Sequence, residues 1–242
     1  MKGRGPAPAI PGPASAIPGP ASAVCRAAAA VFLVVLIALP AAASVDGFTI
    51  ARLKYGGGGD WYADPSSLPN LLEGLRERTR IRAANEEAQV GILDEELFQY
   101  PFLYATGHGV IRLSEAEVQR LRYHLIHGGF LWVDDNYGFD PYFRSEIRRV
   151  FPEAEMRELP ADHAIYHSYY SMPKGLPKIH EHDGGAPRGY GLFHDGRLVV
   201  YYSYNTDIGD GLEDFEVHPN PPEKREEALR MAINIVTYAL TH

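Results

Sequence analysis

The chain has 242 residues, a formal net charge of −8 and a single cysteine, Cys25. The first 43 residues hold three basic residues and no acid, so residues 44–242 carry three further net negative charges, −11 in all. Such an acidic segment is a poor partner for nucleic acid, whose binding rests on Lys and Arg neutralising phosphates. With no cysteine after residue 25, it also excludes disulfides, a thiol nucleophile and cysteine-ligated metal.

Residues 1–23 are a Pro/Ala-rich tract in which AIPGPAS, at 9–15, repeats at 16–22, and such a composition has no side chains with which to build a core. Arg26, the uncharged run AAAAVFLVVLIAL at 27–39 and the small residues of Pro40-Ala-Ala-Ala-Ser44 have the order of a secretory signal peptide. The expected signal is 24–43, cleaved after Ala43, with the true start at Val24. It leaves an exported chain, periplasmic or extracellular, with one domain at 47–242 and no membrane span. The alternative is an anchor formed by an uncleaved 27–45 segment, which approaches the roughly 20 residues of a membrane helix only by including Pro40.

Within the domain, Phe48-Thr-Ile-Ala-Arg-Leu53 alternates and predicts a first strand over 48–53. Four glycines, 56–59, follow Tyr55 and precede Asp60-Trp61-Tyr62. They match neither G-x-G-x-x-G nor a P-loop, and Asp60 would repel phosphate. Ser66 or Ser67 is expected to cap a helix to about residue 79, with Leu68, Leu71, Leu72 and Leu75 on one face. A short strand over 89–93 and a turn over 95–99 capped by Asp94 lead to 101–106, an uncharged strand of the kind buried in parallel sheets.

Ser114 and Glu117 form a capping box. Leu113, Val118, Leu121 and Leu125 make an apolar helical stripe, Gly128-Gly129 ends that helix, and 130–133 returns as the central strand, completing a β-α-β unit. A helix over 139–150 follows, then a half-regular stretch, 153–189. Asp195-Gly196 between apolar runs signals a hairpin. The loop 205–216 reads as a solvated acidic segment, although Asn205, Asp207, Asp210, Glu213 and Asp214 are oxygen ligands of the type calcium takes. A last helix runs from Pro222 to about residue 240.

The segments FTIARLKY, WYAD, PFLYATGHG, LSEAEVQRLRYHLIHGGFLWVDD, RRVFPE, LPADHAIYHSYY, DGRLVVYYSYN and NIVTYALT, spread over 47–242, resemble the bacterial domain of unknown function called DUF4159. The resemblance implies a three-layer α/β sandwich with a mostly parallel central sheet, flavodoxin-like and related to the class I glutamine amidotransferases. It implies no established activity. Those amidotransferases use a cysteine nucleophile at a strand–helix elbow; here no cysteine is present at the turn Gly107-His108-Gly109, so glutamine amidotransfer is excluded.

Ligands of open α/β sheets bind at the carboxyl ends of the strands. His108, between Gly107 and Gly109, and Asp134 with Asp135 at the next strand end are therefore the candidate site, joined by Tyr55 and Trp61 around the first loop. The reading is a non-catalytic module that binds a small ligand or a cell-envelope protein in the His108/Asp134 crevice. The alternative is a metal-dependent hydrolase using His108, Asp134 and Asp135, since metal activates water without a protein nucleophile. His163 and His167, spaced i, i+4, are candidate metal ligands if helical, but lack the glutamate of H-E-x-x-H. His180 and His182 read as surface residues. No cofactor is required by any motif; a divalent metal fits the ligand types.

Overall fold

The computed structural model describes residues 47–180 and 184–242; the tract at 1–23, the signal segment with Cys25 and the candidate anchor, Glu181 and His182 lie outside the described residues. The elements are β1 (Ala51–Lys54), α1 (Ser67–Arg78), β2 (Ala88–Gly91), β3 (Phe102–Ala105), α2 (Glu115–Ile126), β4 (Phe130–Asp134), α3 (Asp140–Val150), β5 (Arg157–Glu158), β6 (Arg188–His194), β7 (Arg197–Tyr204), α4 (Ile208–Leu212) and α5 (Pro222–Thr241), with 3-10 turns at Glu95–Gln99 and Ala164–Tyr166. They build an α/β domain around an open seven-stranded sheet in the order β2-β1-β3-β4-β7-β6-β5. The first five strands of that order are mutually parallel, and β6 and β5 extend the sheet antiparallel.

Both faces of the sheet are covered, which explains why β3 and β4 have no polar alternation. On one face Phe102, Tyr104, Trp132 and Tyr201 pack with Leu68, Leu71, Leu72 and Leu75 of α1 and Met231, Ile235 and Val236 of α5. On the other, Leu103, Leu131, Val133 and Val200 pack with Val118, Leu121 and Leu125 of α2 and Phe143, Ile147 and Val150 of α3. Among the described residues no helix is long and apolar enough to cross a membrane.

Local signals and tertiary partners divide the work of setting the element ends. The capping box at Ser114 forms as expected: its hydroxyl accepts from Glu117 N–H while the Glu117 carboxylate returns to the Ser114 N–H. Asp195 and Gly196 both take positive φ, the geometry of a tight hairpin between β6 and β7. Ser66, by contrast, does not cap α1 with its own side chain. The buried Glu213 carboxylate, 147 positions away in sequence, accepts from Ser66 N–H (2.8 Å), Ser67 N–H (3.0 Å) and Ser66 Oγ (2.8 Å). A carboxylate satisfies the unpaired amides of a helix start and is favoured by its dipole. Asp94 likewise leaves its turn uncapped and accepts from Gly91 N–H instead (2.7 Å).

One reading from the sequence is corrected by the structure. The segment 205–216 is solvated only at its end, 214–216: it contains α4, and Asn205, Asp207, Asp210 and Glu213 are all buried. Arg52 alternates in β1 as a solvent-facing residue would, yet it is buried in the face covered by α1. Its guanidinium grips the Glu87 carboxylate (2.8 and 3.0 Å), donates to the backbone carbonyls of Ala63 and Asp64, and lies over the Tyr104 ring. Arg52, Tyr104, Trp132 and Tyr201 occupy one row across four parallel strands.

Removing one partner of a buried ion pair strands the other, at about 3–5 kcal/mol. Arg52→Met is therefore expected to lower the unfolding free energy by about that amount in urea titrations. A change below about 1 kcal/mol would mean that the fork is replaceable by water.

Candidate functional site

The carboxyl ends of β1 and β3 are bound together through the loops that follow them. Tyr55 Oη donates to Thr106 O (2.9 Å), and Gly59 N–H donates to Val110 O (2.9 Å). Gly107, at φ +141°, is where the β1 loop crosses: a Cβ there would strike Tyr55 Oη and the Asp60 carbonyl. The crossing brings Asp60 to His108. The Asp60 carboxylate accepts the His108 backbone N–H on Oδ1 and pairs with His108 Nδ1 through Oδ2 (3.0 Å). The imidazole is half-exposed. On the next loop, Gly109 N–H donates to Tyr137 O (3.3 Å). Trp61, part-buried, lies beneath the Lys54 ammonium (5.8 Å to the ring centre) and edge-on to the exposed Tyr62.

Asp134 and Asp135 do not orient His108. Neighbouring residues of a strand face opposite sides of the sheet, and each aspartate spends its oxygens within the fold. Asp134, fully buried on the α1/α5 side, accepts from Ser203 Oγ on Oδ1 and from Gly209 N–H on Oδ2 (2.7 Å), tying β4 to β7 and α4. Burial, and then the charge of Asp207, push its carboxyl well above the usual range. Asp135, on the α2/α3 side, accepts from Tyr202 Oη (3.0 Å) and Asn205 N–H (2.9 Å).

The i, i+4 pair His163 and His167 is not helical. The two residues bracket the single 3-10 turn Ala164–Tyr166, and each ring is used locally: His163 Nδ1 accepts from Ile165 N–H (3.2 Å), and His167 Nε2 pairs with Ala161 O (3.0 Å).

Beneath the rim lies a second group that sequence spacing did not bring together. Asp64 ends the same turn that carries Asp60 and, at φ +55°, directs its carboxyl inward. There it meets Asp210 of α4 and His218, whose ligand atoms all lie within 4.8 Å of one another; among the described residues these three form the only such group of three or more metal-type ligands. His218 Nε2 pairs with Asp210 Oδ1 (3.3 Å), and His180 Nδ1, read as a surface residue, pairs with Asp210 Oδ2 (3.2 Å). Asp207 caps α4 by accepting from Asp210 N–H (3.3 Å). Asp64 Oδ2, Tyr104 Oη and Thr106 Oγ1 are buried without a hydrogen-bond partner. Burial first, then the charges of Asp210 and Glu213, push the Asp64 carboxyl up to about 7. Asp207 is raised for the same reason, burial followed by Asp64.

A family model described as "Domain of unknown function (DUF4159)" matches residues 49–240. No curated protein matches the chain.

A carboxyl whose folded pKa lies above its unfolded value weakens the fold fully above the folded pKa, and the penalty falls away as pH drops toward the unfolded value. With chelator present, Asp64→Asn, which also suits the left-handed backbone, is expected to raise stability by about 1–3 kcal/mol at pH 8. The gain should vanish toward pH 4. Denaturant titrations at both pH values measure it, and a loss of stability at pH 8 would show that the ionised carboxylate is a structural tie.

Proposed function

The chain belongs to the DUF4159 family, and we propose that it is an exported bacterial binding module, without catalytic activity, whose ligand sits on the rim formed by Asp60 and His108. Export rests on the signal-like segment 24–43 of the sequence. Counted among themselves, the five parallel strands run 2-1-3-4-5, an order that supports the flavodoxin-like reading and its relationship to the glutamine amidotransferase-like fold.

The observation that carries the proposal is position. In that strand order the connections reverse between β1 and β3, where loops diverge and leave a crevice for ligands. Asp60 follows β1 and His108 follows β3, so their pair spans the switch point. A half-exposed imidazole oriented by a carboxylate offers a fixed donor or acceptor to a polar ligand. Tyr62 and Tyr137, on the flanking loops, are 63% and 70% exposed, and amphipathic rings of this kind supply contact area at little entropic cost. The acidic domain favours neutral or cationic ligands, such as oligosaccharides or the basic segments of envelope proteins. A hydrolase built on His108, Asp134 and Asp135 has less support, because both aspartates are committed to backbone and hydroxyl donors of the fold.

The test is an NMR titration of the protein with neutral oligosaccharides and basic peptides. Shifts are expected to centre on Asp60, Trp61, Tyr62, His108 and Tyr137. His108→Ala should abolish them while moving the melting temperature by less than about 2 °C, as exposed substitutions do. Undiminished binding by the variant, or its unfolding, would contradict the proposal.

A further inference from the structure

Beneath the rim buried carboxylates gather with little cationic charge against them: among the described residues the side-chain ion-pair partners of Asp64 and Asp210 are the imidazoles of His180 and His218, both on Asp210. Asp64 and Asp210 are both more than nine-tenths buried, and Asp134 and Asp207 lie in the same acidic neighbourhood. Among the described residues no lysine or arginine forms an ion pair with Asp64 or Asp210. Arg52 is the nearest guanidinium by connection, but it donates to the Asp64 carbonyl and spends its fork on Glu87. Buried charges are ordinarily paired or coordinate a metal.

A second observation is independent of the acid cluster. Tyr104 Oη is fully buried and, among the described residues, has no partner at hydrogen-bond geometry, Thr106 being the hydroxyl beside it; it lies toward the place where Asp64 Oδ2, likewise without a partner, meets α4. Gly209 marks the spot: a Cβ on it would run into Asp64 Oδ2 and stand 3.1 Å from Tyr104 Oη. Unsatisfied polar atoms at such a point are costly unless something binds there.

The donor set narrows what that is. Two carboxylates and the His218 imidazole converge, and His180 stands on the far oxygen of Asp210. Calcium and magnesium prefer oxygen alone, whereas zinc and its neighbours take imidazole with carboxylate. The two imidazoles are also the way in: His180 and His218 side chains are 46% and 36% exposed, against 6% for Asp210. We infer that Asp64, Asp210 and His218 form a binding site for a divalent transition-metal ion of the zinc class, with His180 as a fourth ligand or as the partner that orients Asp210. The site is separate from the Asp60–His108 rim and stands whether or not the rim binds a ligand.

The experiment is titration of the chelator-treated full chain with zinc chloride, and separately with calcium chloride, followed by competition with a chromophoric chelator and by thermal unfolding. The expected result is one zinc per chain and a melting temperature raised by about 5–10 °C at a hundredfold excess over Kd. His218→Gln and Asp210→Asn should each weaken zinc at least tenfold. Asp64→Asn should weaken it as much while leaving the metal-free protein folded, so that loss of binding is not loss of structure. His163→Gln should bind as the parent does. Absence of zinc binding up to millimolar concentration, affinity untouched by the Asp64 and His218 changes, or a preference for calcium over zinc would each overturn the inference.

Discussion

The fork of Arg52 is the interaction on which the upper end of the sheet depends. It reaches from β1 across to Glu87, just before the edge strand, with Nε and Nη2, while Nη1 donates to the Ala63 carbonyl and Nη2 also to that of Asp64. A buried guanidinium is tolerated only when its donors are used and its charge is matched, so the turn 60–64 must close over it for the strand to be stable. That turn therefore has one allowed place, and the side chains it carries are placed with it.

From this one constraint the two polar regions follow. Asp60, at the outer end of the turn, reaches His108 across the β1/β3 boundary. Asp64, at the inner end, goes under α4 toward Asp210 and His218. The same end of the molecule is closed from the other side by carboxylates acting as structural acceptors: Asp134 on Gly209 and Ser203, and Glu213 on the start of α1. Acidic residues thus do two kinds of work here. Those that accept backbone N–H groups fasten α1 and α4 to the sheet, and those that do not, Asp64 foremost, leave a concentrated negative charge beneath an exposed rim.

The parts of the fold that could be read from the sequence were those fixed by neighbours in the chain. The Ser114–Glu117 box, the Asp195-Gly196 turn and the uncharged runs of β3 and β4 each carry their cause within a few residues. Arg52 could not be read this way, since alternation marks a half-exposed strand equally well whether the polar residue meets water or a buried carboxylate. The loop 205–216 misled for the same reason: its composition is that of a solvated segment, and only docking against α1 and α5 buries its 205–213 part. His108 was singled out because glycines flank it at a strand end. Its partner Asp60 was read only as a barrier to phosphate, and Asp134 and Asp135 were grouped with it because they close the neighbouring strand, although strand parity sends them to opposite faces. Asp64, Asp210 and His218 carry no spacing signal at all, because the sheet order and the Arg52-held turn bring them together.

The turn held by Arg52 would thus deliver Asp64 to the inferred cation site shared with Asp210 and His218. Crystals grown with zinc, measured on either side of the zinc absorption edge, test it most directly. The expected result is an anomalous peak within about 2.0–2.2 Å of a carboxylate oxygen of Asp64, a carboxylate oxygen of Asp210 and Nε2 of His218, with Arg52 still on the carbonyls of Ala63 and Asp64. An anomalous map without a peak there, or with zinc only at exposed histidines such as His167, would contradict it.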